Sequence, residues 1–370
     1  MTAGVRHLYV HLPFCAHRCG YCDFVTAVGR HEEHRGYVDA LLAELDRERR
    51  LLADPLETVF VGGGTPTFTE PQALACVLDA LPSAHEVTVE ANPETITPAL
   101  AVLLRHHGVN RVSLGAQSFR PQLLEVLERV AGPDDVRRAV HTLRDAEFDN
   151  ISLDLIYGIP GQSAADLEAD LADALALEPE HLSCYELEAK PGTRFTHAHG
   201  EELARQAEAM EGYAERVVET LTGAGYRWYE TANFCRSDRG RDFRAQHNLA
   251  IWRGADYLGV GVGAVSTLGG ERQRNLPSVG RYVAALVNRD APPREVERLD
   301  APTRAVERLM LGLRLDEPFA VGAAGVEDVV DADALERLTA AGLVDRVGDG
   351  VRLTPRGRML GGAVTAELLA

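Results

Sequence analysis

What this chain lacks narrows its class before any motif is read. No run of 18 apolar residues occurs, and the opening MTAGVRHLYV holds no apolar leader core. Neither a membrane-spanning helix nor an export signal is therefore expected, and the reading is a cytoplasmic protein. No long Lys/Arg block offsets a formal charge of −18, which argues against a nucleic-acid scaffold; the arginines between Arg236 and Arg244 are left as local anion sites. Cysteine is also scarce. Six in 370 residues, three of them bunched together, do not make a secreted disulfide framework. No CxxCH is present, so c-type heme attachment is not indicated, and neither low-complexity sequence nor a repeat beyond a simple βα alternation occurs.

The bunched cysteines are the most informative stretch. Cys15, Cys19 and Cys22 lie in YVHLPFCAHRCGYCDF, directly after the apolar residues Leu8, Val10 and Leu12, which read as a buried strand. Thiolates select zinc, copper(I) or iron–sulfur clusters. A closed zinc site needs four protein ligands, and Cys76, Cys184 and Cys235 are solitary and distant. His17 is a formal fourth ligand, but the loop would have to fold sharply back on itself. A zinc loop or redox dithiol thus competes with a 4Fe-4S cubane held by three thiolates, which leaves one iron open.

From residue 8 to about 190, candidate strands alternate with amphipathic helices. The strands are Leu8 to His11, Thr58 to Val61, Val87 to Glu90, Arg111 to Gly115, Ile151 to Ile156 and Leu182 to Leu187. Between them lie helices at Tyr37 to Leu52, Gln72 to Leu81, Pro98 to His107, Pro121 to Val130 with Asp135 to Ala146, and Ala165 to Leu177, the third started by a Thr97-Pro98 cap. Six βα units predict an α/β fold with a parallel sheet, closed as a partial (β/α)6 TIM-like barrel with functional residues at the C-terminal strand ends. The alternation breaks after Pro191-Gly192. A helical stretch from Glu201 to Gly223 and aromatic strand-like sequence follow, and Gly254 to Gly270 reads as extended turns. Helices at Arg304 to Leu315 and Ala332 to Ala341, with a β-like pair around Val344 to Leu353, predict a winged-helix-like end. The expected domains are 1–190, an α+β accessory region at 191–300, and 301–370.

Several strand ends carry groups that a purely apolar parallel strand does not need. Gly62-Gly63-Gly64-Thr65-Pro66 follows the second strand, where a backbone can approach a ligand closely and present N–H groups. Glu90 ends the third strand, Gln117 follows the fourth and Asp154 sits inside the fifth. Each alone serves equally well as a helix cap or loop brace; together they face one barrel mouth.

With CxxxCxxC and GGGTP one βα unit apart, the chain resembles the radical S-adenosylmethionine (SAM) superfamily. Over residues 8 to 362 it resembles the branch containing oxygen-independent coproporphyrinogen III oxidase and its heme-chaperone relatives, through VFVGGGTPT, VEANPE, VSLGAQSF, DLIYGIPGQ, HNLAIW and DYLGVGVGA. The resemblance implies a 4Fe-4S cluster on Cys15, Cys19 and Cys22, whose open iron chelates SAM, and an electron that breaks its C–S bond to give a 5′-deoxyadenosyl radical. It implies SAM contacts from Tyr9, Tyr21, Gly63, Gly64, Thr65, Glu90, Gln117, Arg129 and Asp154.

Within that branch the oxidases resemble CxxxCxxCxC, where this chain has Phe24, and carry a long N-terminal extension. The chaperones carry HNxxYW, matched here by His247, Asn248 and Trp252, with Ile251 for the tyrosine. His247 is thus a candidate axial heme ligand and Trp252 a candidate stacking face, against the alternative that both only pack. Two motif histidines of the family are replaced, by Ala131 and Val265. The implied function is a heme chaperone that carries heme to an acceptor hemoprotein, with flavodoxin or ferredoxin as a possible electron donor. Coproporphyrinogen dehydrogenation and SAM-dependent methyl transfer or cyclopropanation are the alternatives.

Overall fold

The apolar runs become strands because they are buried on both faces of one sheet, and the amphipathic stretches become the helices that cover it. A computed structural model describes residues 4–188, 194–237, 240–322 and 325–369. The first half runs β1 (His7–Leu12), α1 (His34–Glu48), β2 (Leu56–Gly63), α2 (Pro71–Ala80), β3 (Ala84–Ala91), α3 (Pro98–His106) and β4 (Arg111–Gln117). It continues with α4 (Pro121–Val126), α5 (Pro133–Asp145), β5 (Ile151–Tyr157), α6 (Ala164–Ala176) and β6 (His181–Glu186). Thr97 caps α3 as expected, its hydroxyl accepting from the Leu100 N–H. The break at Pro191-Gly192 lies outside the described residues.

After the break come α7 (Arg194–Gln206), α8 (Met210–Gly223), β7 (Tyr226–Glu230), β8 (Asn233–Arg236), α9 (Gln246–Trp252) and β9 (Leu258–Val260). One nine-stranded sheet has the order β9-β1-β2-β3-β4-β5-β6-β8-β7. It is parallel from β9 to β6, and the β7–β8 hairpin extends it antiparallel. The six βα units thus form the expected partial barrel. A single apolar core runs from Leu8 through Val260 to Leu286, so Tyr213, Tyr226, Phe234, Leu258 and Tyr282 share one core with the barrel strands.

The Gly-rich segment departs from expectation. Rather than turns alone, it supplies β9, in register with β1 at Leu8↔Leu258 and Val10↔Val260. It also supplies β10 (Val265–Leu268), which begins a small antiparallel sheet with β11 (Glu271–Asn275) and, after α10 (Val279–Val287), β12 (Arg294–Arg298). A buried carboxylate ties these pieces to the barrel. Glu44 on α1 is fully buried and accepts from the Gly261 N–H (2.7 Å), Asn275 Nδ2 (2.8 Å), the Tyr282 O–H (2.5 Å) and Arg294 Nη2 (2.9 Å).

The last unit has its own core, from Ala305 to Leu368. It comprises α11 (Ala301–Gly312), β13 (Phe319–Ala320), α12 (Ala332–Ala340), β14 (Val344–Val347), β15 (Gly350–Leu353), α13 (Pro355–Met359) and α14 (Gly361–Leu368). The expected strand pair is the β14–β15 hairpin, and β13 adds a third strand on β15. Arg358 fastens this unit to the barrel: its guanidinium lies 3.6 Å from the Trp228 ring centroid and donates to the Trp228 carbonyl at 2.7 Å.

Candidate cluster and cofactor site

The cysteine loop leaves β1 and is pinned where it returns. Phe14–Cys15 pairs in parallel with Ala27–Val28, the Ala27 N–H donates to the Pro13 carbonyl (2.7 Å), and the Gly29 N–H to that of Cys15 (3.2 Å). Within the loop the Cys22 N–H donates to the Cys19 carbonyl (3.2 Å). Closing the loop this way brings the three sulfurs into mutual electrostatic reach. Burial pushes the Cys15 thiol up to about 11, with the charges of Cys22 and Cys19 adding to the rise, and it raises Cys22 as well. Thiols held in this way ionise when a cation is there to receive them. Among the described residues, no three His, Cys, Asp or Glu side chains are gathered closely enough for one metal ion; in a cubane each thiolate ligates a separate iron.

The glycines at the end of β2 press against this loop. Gly63 has φ 125°, in the region that favours glycine. A Cβ at Gly64 would stand 2.5 Å from the Pro13 carbonyl oxygen and 2.7 Å from Cys15 Sγ. The free N–H groups expected of this turn are already engaged: Gly63 donates to Glu90 Oε2 (3.2 Å), Gly64 to the Leu12 carbonyl (2.8 Å) and Thr65 to that of Phe14 (2.8 Å). What the turn offers a ligand is close approach.

The strand ends complete the mouth. Burial, and then the charge of Asp154, raise the Glu90 carboxyl to about 7. Burial likewise raises Asp154, which accepts from Ser113 Oγ at 3.3 Å on both oxygens. Tyr9 meets His11 Nδ1 at 3.0 Å, and burial, then Glu90, raise its phenol. Tyr21 lies edge-on to Phe195, ring centroids 6.4 Å apart. Gln117 sits at a register irregularity in β4 with φ 65°.

Arg129 crosses the mouth. Its Nη2 donates to Asn92 Oδ1 (3.0 Å) and the Gly115 carbonyl (2.8 Å), and Nη1 lies 3.6 Å from Cys19 Sγ. Its buried Nε–H has no acceptor among the described residues, a donor left for an anionic group such as a carboxylate. Asn92 is the residue that sequence reasoning missed, although it stands in the VEANPE stretch, two positions after Glu90.

His247 and Trp252 are not at this mouth. His247 Nδ1 meets Thr58 Oγ1 (2.8 Å), which also meets His7 Nδ1 (2.9 Å), at the N-terminal ends of β1 and β2. The ring is 1% exposed and packs on Phe60, with centroids 5.4 Å apart. Burial lowers its pKa to about 3. The imidazole is closed in by these neighbours, and its Nε2 has no hydrogen-bond partner among the described residues. Trp252 packs on Tyr229, with ring centroids 6.3 Å apart.

Residues 9–174 match the model of the Radical SAM superfamily and residues 299–360 that of the HemN C-terminal domain. Coproporphyrinogen III oxidase (HemN) from Escherichia coli has the same fold: TM-score 0.80 over 99% of this chain and 90% of that one, at 23% identity. Fold and thiol loop together define a radical SAM protein, a class that implies a 4Fe-4S cluster and SAM. The three thiols, the Gly64 cradle against Cys15 and the unused Arg129 donor fit that pair.

Among curated relatives, heme chaperone HemW of Mycobacterium tuberculosis (strain ATCC 25618 / H37Rv) is 36% identical over 98% of this chain and 94% of its own length. That of Bacillus subtilis (strain 168) is 32% identical over 99% of each. The chain belongs to the heme chaperone HemW family.

Proposed function

We propose that this chain is a heme chaperone: it binds heme and passes it to acceptor hemoproteins, from a scaffold that holds a 4Fe-4S cluster and SAM. The observation that carries the reading is the 36% identity to a relative named for that role, spread over nearly the whole of both chains. In this reading Cys15, Cys19 and Cys22 hold the cluster, and Tyr9, Tyr21, Gly63, Gly64, Thr65, Glu90, Gln117, Arg129 and Asp154 line the SAM site. The cluster, when reduced, supplies an electron to bound SAM and so opens radical chemistry.

The chain's own residues set the conditions for that. The orphan Nε–H of Arg129 is placed to take a carboxylate, and Glu90, raised to about 7 by burial, can exchange a proton with an amine near neutral pH. Phe24, 64% exposed, occupies the position of the oxidases' fourth cysteine and supports the carrier reading over porphyrinogen oxidation. A cytoplasmic location, division of the chain near residues 190 and 300, and an electron donor of the flavodoxin or ferredoxin kind belong to the same proposal. Among the described residues no helix is long and apolar enough to cross a membrane.

The test is a heme titration of anaerobically reconstituted protein, followed by the Soret band, with cluster-free protein as control. Saturation near one heme per chain supports the reading. Absence of specific binding removes it and turns attention to coproporphyrinogen decarboxylation and methyl-transfer assays.

A further inference from the structure

The hydrogen bonds around the cysteine loop converge on one uncharged side chain. Asn92 follows β3 directly, and its carboxamide is held at both ends: Oδ1 accepts from Arg129 Nη2 at 3.0 Å, and Nδ2 donates to Thr65 Oγ1 at 3.1 Å. A guanidinium can only donate, so the amide has one possible orientation. A threonine hydroxyl that accepts from Asn92 keeps its own hydrogen for another partner, and Cys15 Sγ lies 3.5 Å away. The same contact, together with the Gly115 carbonyl, fixes the plane of the guanidinium and points Nη1 at Cys19 Sγ, 3.6 Å distant.

We infer that Asn92 is a positioning residue that aims two donors, the Thr65 hydroxyl and the Arg129 guanidinium, at two of the three cluster thiolates and so sets the cluster's reduction potential. The inference rests on the cluster assignment made above. Hydrogen bonds to ligand sulfurs draw off thiolate electron density and favour the more negative, reduced cluster. A purely local role for Asn92 is met by its backbone alone, whose carbonyl accepts from the Thr95 N–H (3.0 Å) and hydroxyl (2.6 Å). Any residue supplies that carbonyl. The carboxamide adds an acceptor for the fork and a donor for the hydroxyl, 37 and 27 positions away in sequence.

The experiment uses the full chain, reconstituted anaerobically without SAM, as wild type, Asn92→Ala, Thr65→Val and Thr65→Ser. Iron and sulfide are counted, and the midpoint potential is measured by EPR-monitored redox titration. With four irons per chain throughout, Asn92→Ala should move the midpoint to more negative potential. Thr65→Val should move it part of the way in the same direction, and Thr65→Ser should restore it. A fully loaded Asn92→Ala protein with the wild-type midpoint overturns the inference. Should Asn92→Ala fail to load, the threonine pair decides: equal midpoints for Thr65→Val and Thr65→Ser overturn it. A wild-type chain that takes up no four-iron cluster fails the functional reading and the inference with it, whereas unchanged midpoints in loaded proteins fail the inference alone.

Discussion

Replacing Glu90 by glutamine tests the electrostatics of the barrel mouth without altering its shape. The carboxyl titrates near 7 rather than 4.5 because it is buried and stands beside Asp154, and only the Gly63 N–H and the more distant Arg111 charge favour its anion. That displacement corresponds to about 3 kcal/mol, at about 1.4 kcal/mol for each tenfold change in proton affinity. The folded chain holds a proton that the unfolded chain releases near 4.5, so the stabilisation is complete below that pH and is lost as pH rises through about 7. Above neutrality the fold carries a buried anion.

Glu90→Gln keeps an acceptor for the Gly63 N–H and never ionises. Measured by urea unfolding of the cluster-free protein, the variant should gain on wild type by up to about 3 kcal/mol between about pH 5 and about pH 8. A difference between the two proteins that stays constant over this range, within about 0.5 kcal/mol, would refute the argument.

Four further perturbations address other parts of the molecule. Cys19→Ala should abolish the iron–sulfur absorption of anaerobically purified protein; retention of four irons would overturn the ligand assignment. Gly64→Ala should reduce iron content while leaving the far-ultraviolet circular dichroism intact, because its Cβ cannot coexist with Cys15 Sγ 2.7 Å away. Glu44→Ala removes an acceptor shared by the Gly261 N–H, Asn275, Tyr282 and Arg294, the last of which keeps Glu48, and should cost about 1–3 kcal/mol in urea unfolding, a loss under about 1 kcal/mol counting against the buried hub. Arg358→Ala removes the cation over Trp228, worth about 2 kcal/mol where desolvated, and should speed amide exchange in α11 to α14 without changing iron content.

The βα alternation was legible because the barrel strands are short apolar runs separated by amphipathic stretches, a pattern that local sequence carries whole. The cysteine loop was legible for a similar reason: three soft donors within eight residues leave few chemistries. β9 was not, because Leu258, Val260 and Val262 are interleaved with glycines that imitate turns. The structure gives Gly259 another purpose: a Cβ there would stand 2.1 Å from the Val265 carbonyl oxygen. The pairing that makes the segment a strand lies 250 positions earlier, at Leu8. Asn92 was hidden by the same distance effect, since its importance depends on Thr65 and Arg129 arriving at its two ends. His247 illustrates the converse. Its motif singled it out, but only the packing of α9 against Thr58 and Glu86 shows how closed its surroundings are.

The pairing of β9 with β1 bears on how the molecule is made. While the chain is being synthesised, the strand that delivers the cysteine loop has one neighbour, β2, and an open flank of unpaired amide and carbonyl groups. That flank is satisfied only when residues 258–260 emerge, and the Glu44 carboxylate must wait still longer for Tyr282 and Arg294. A chain that ends before about residue 258 therefore presents the cysteine loop on an unsealed sheet margin.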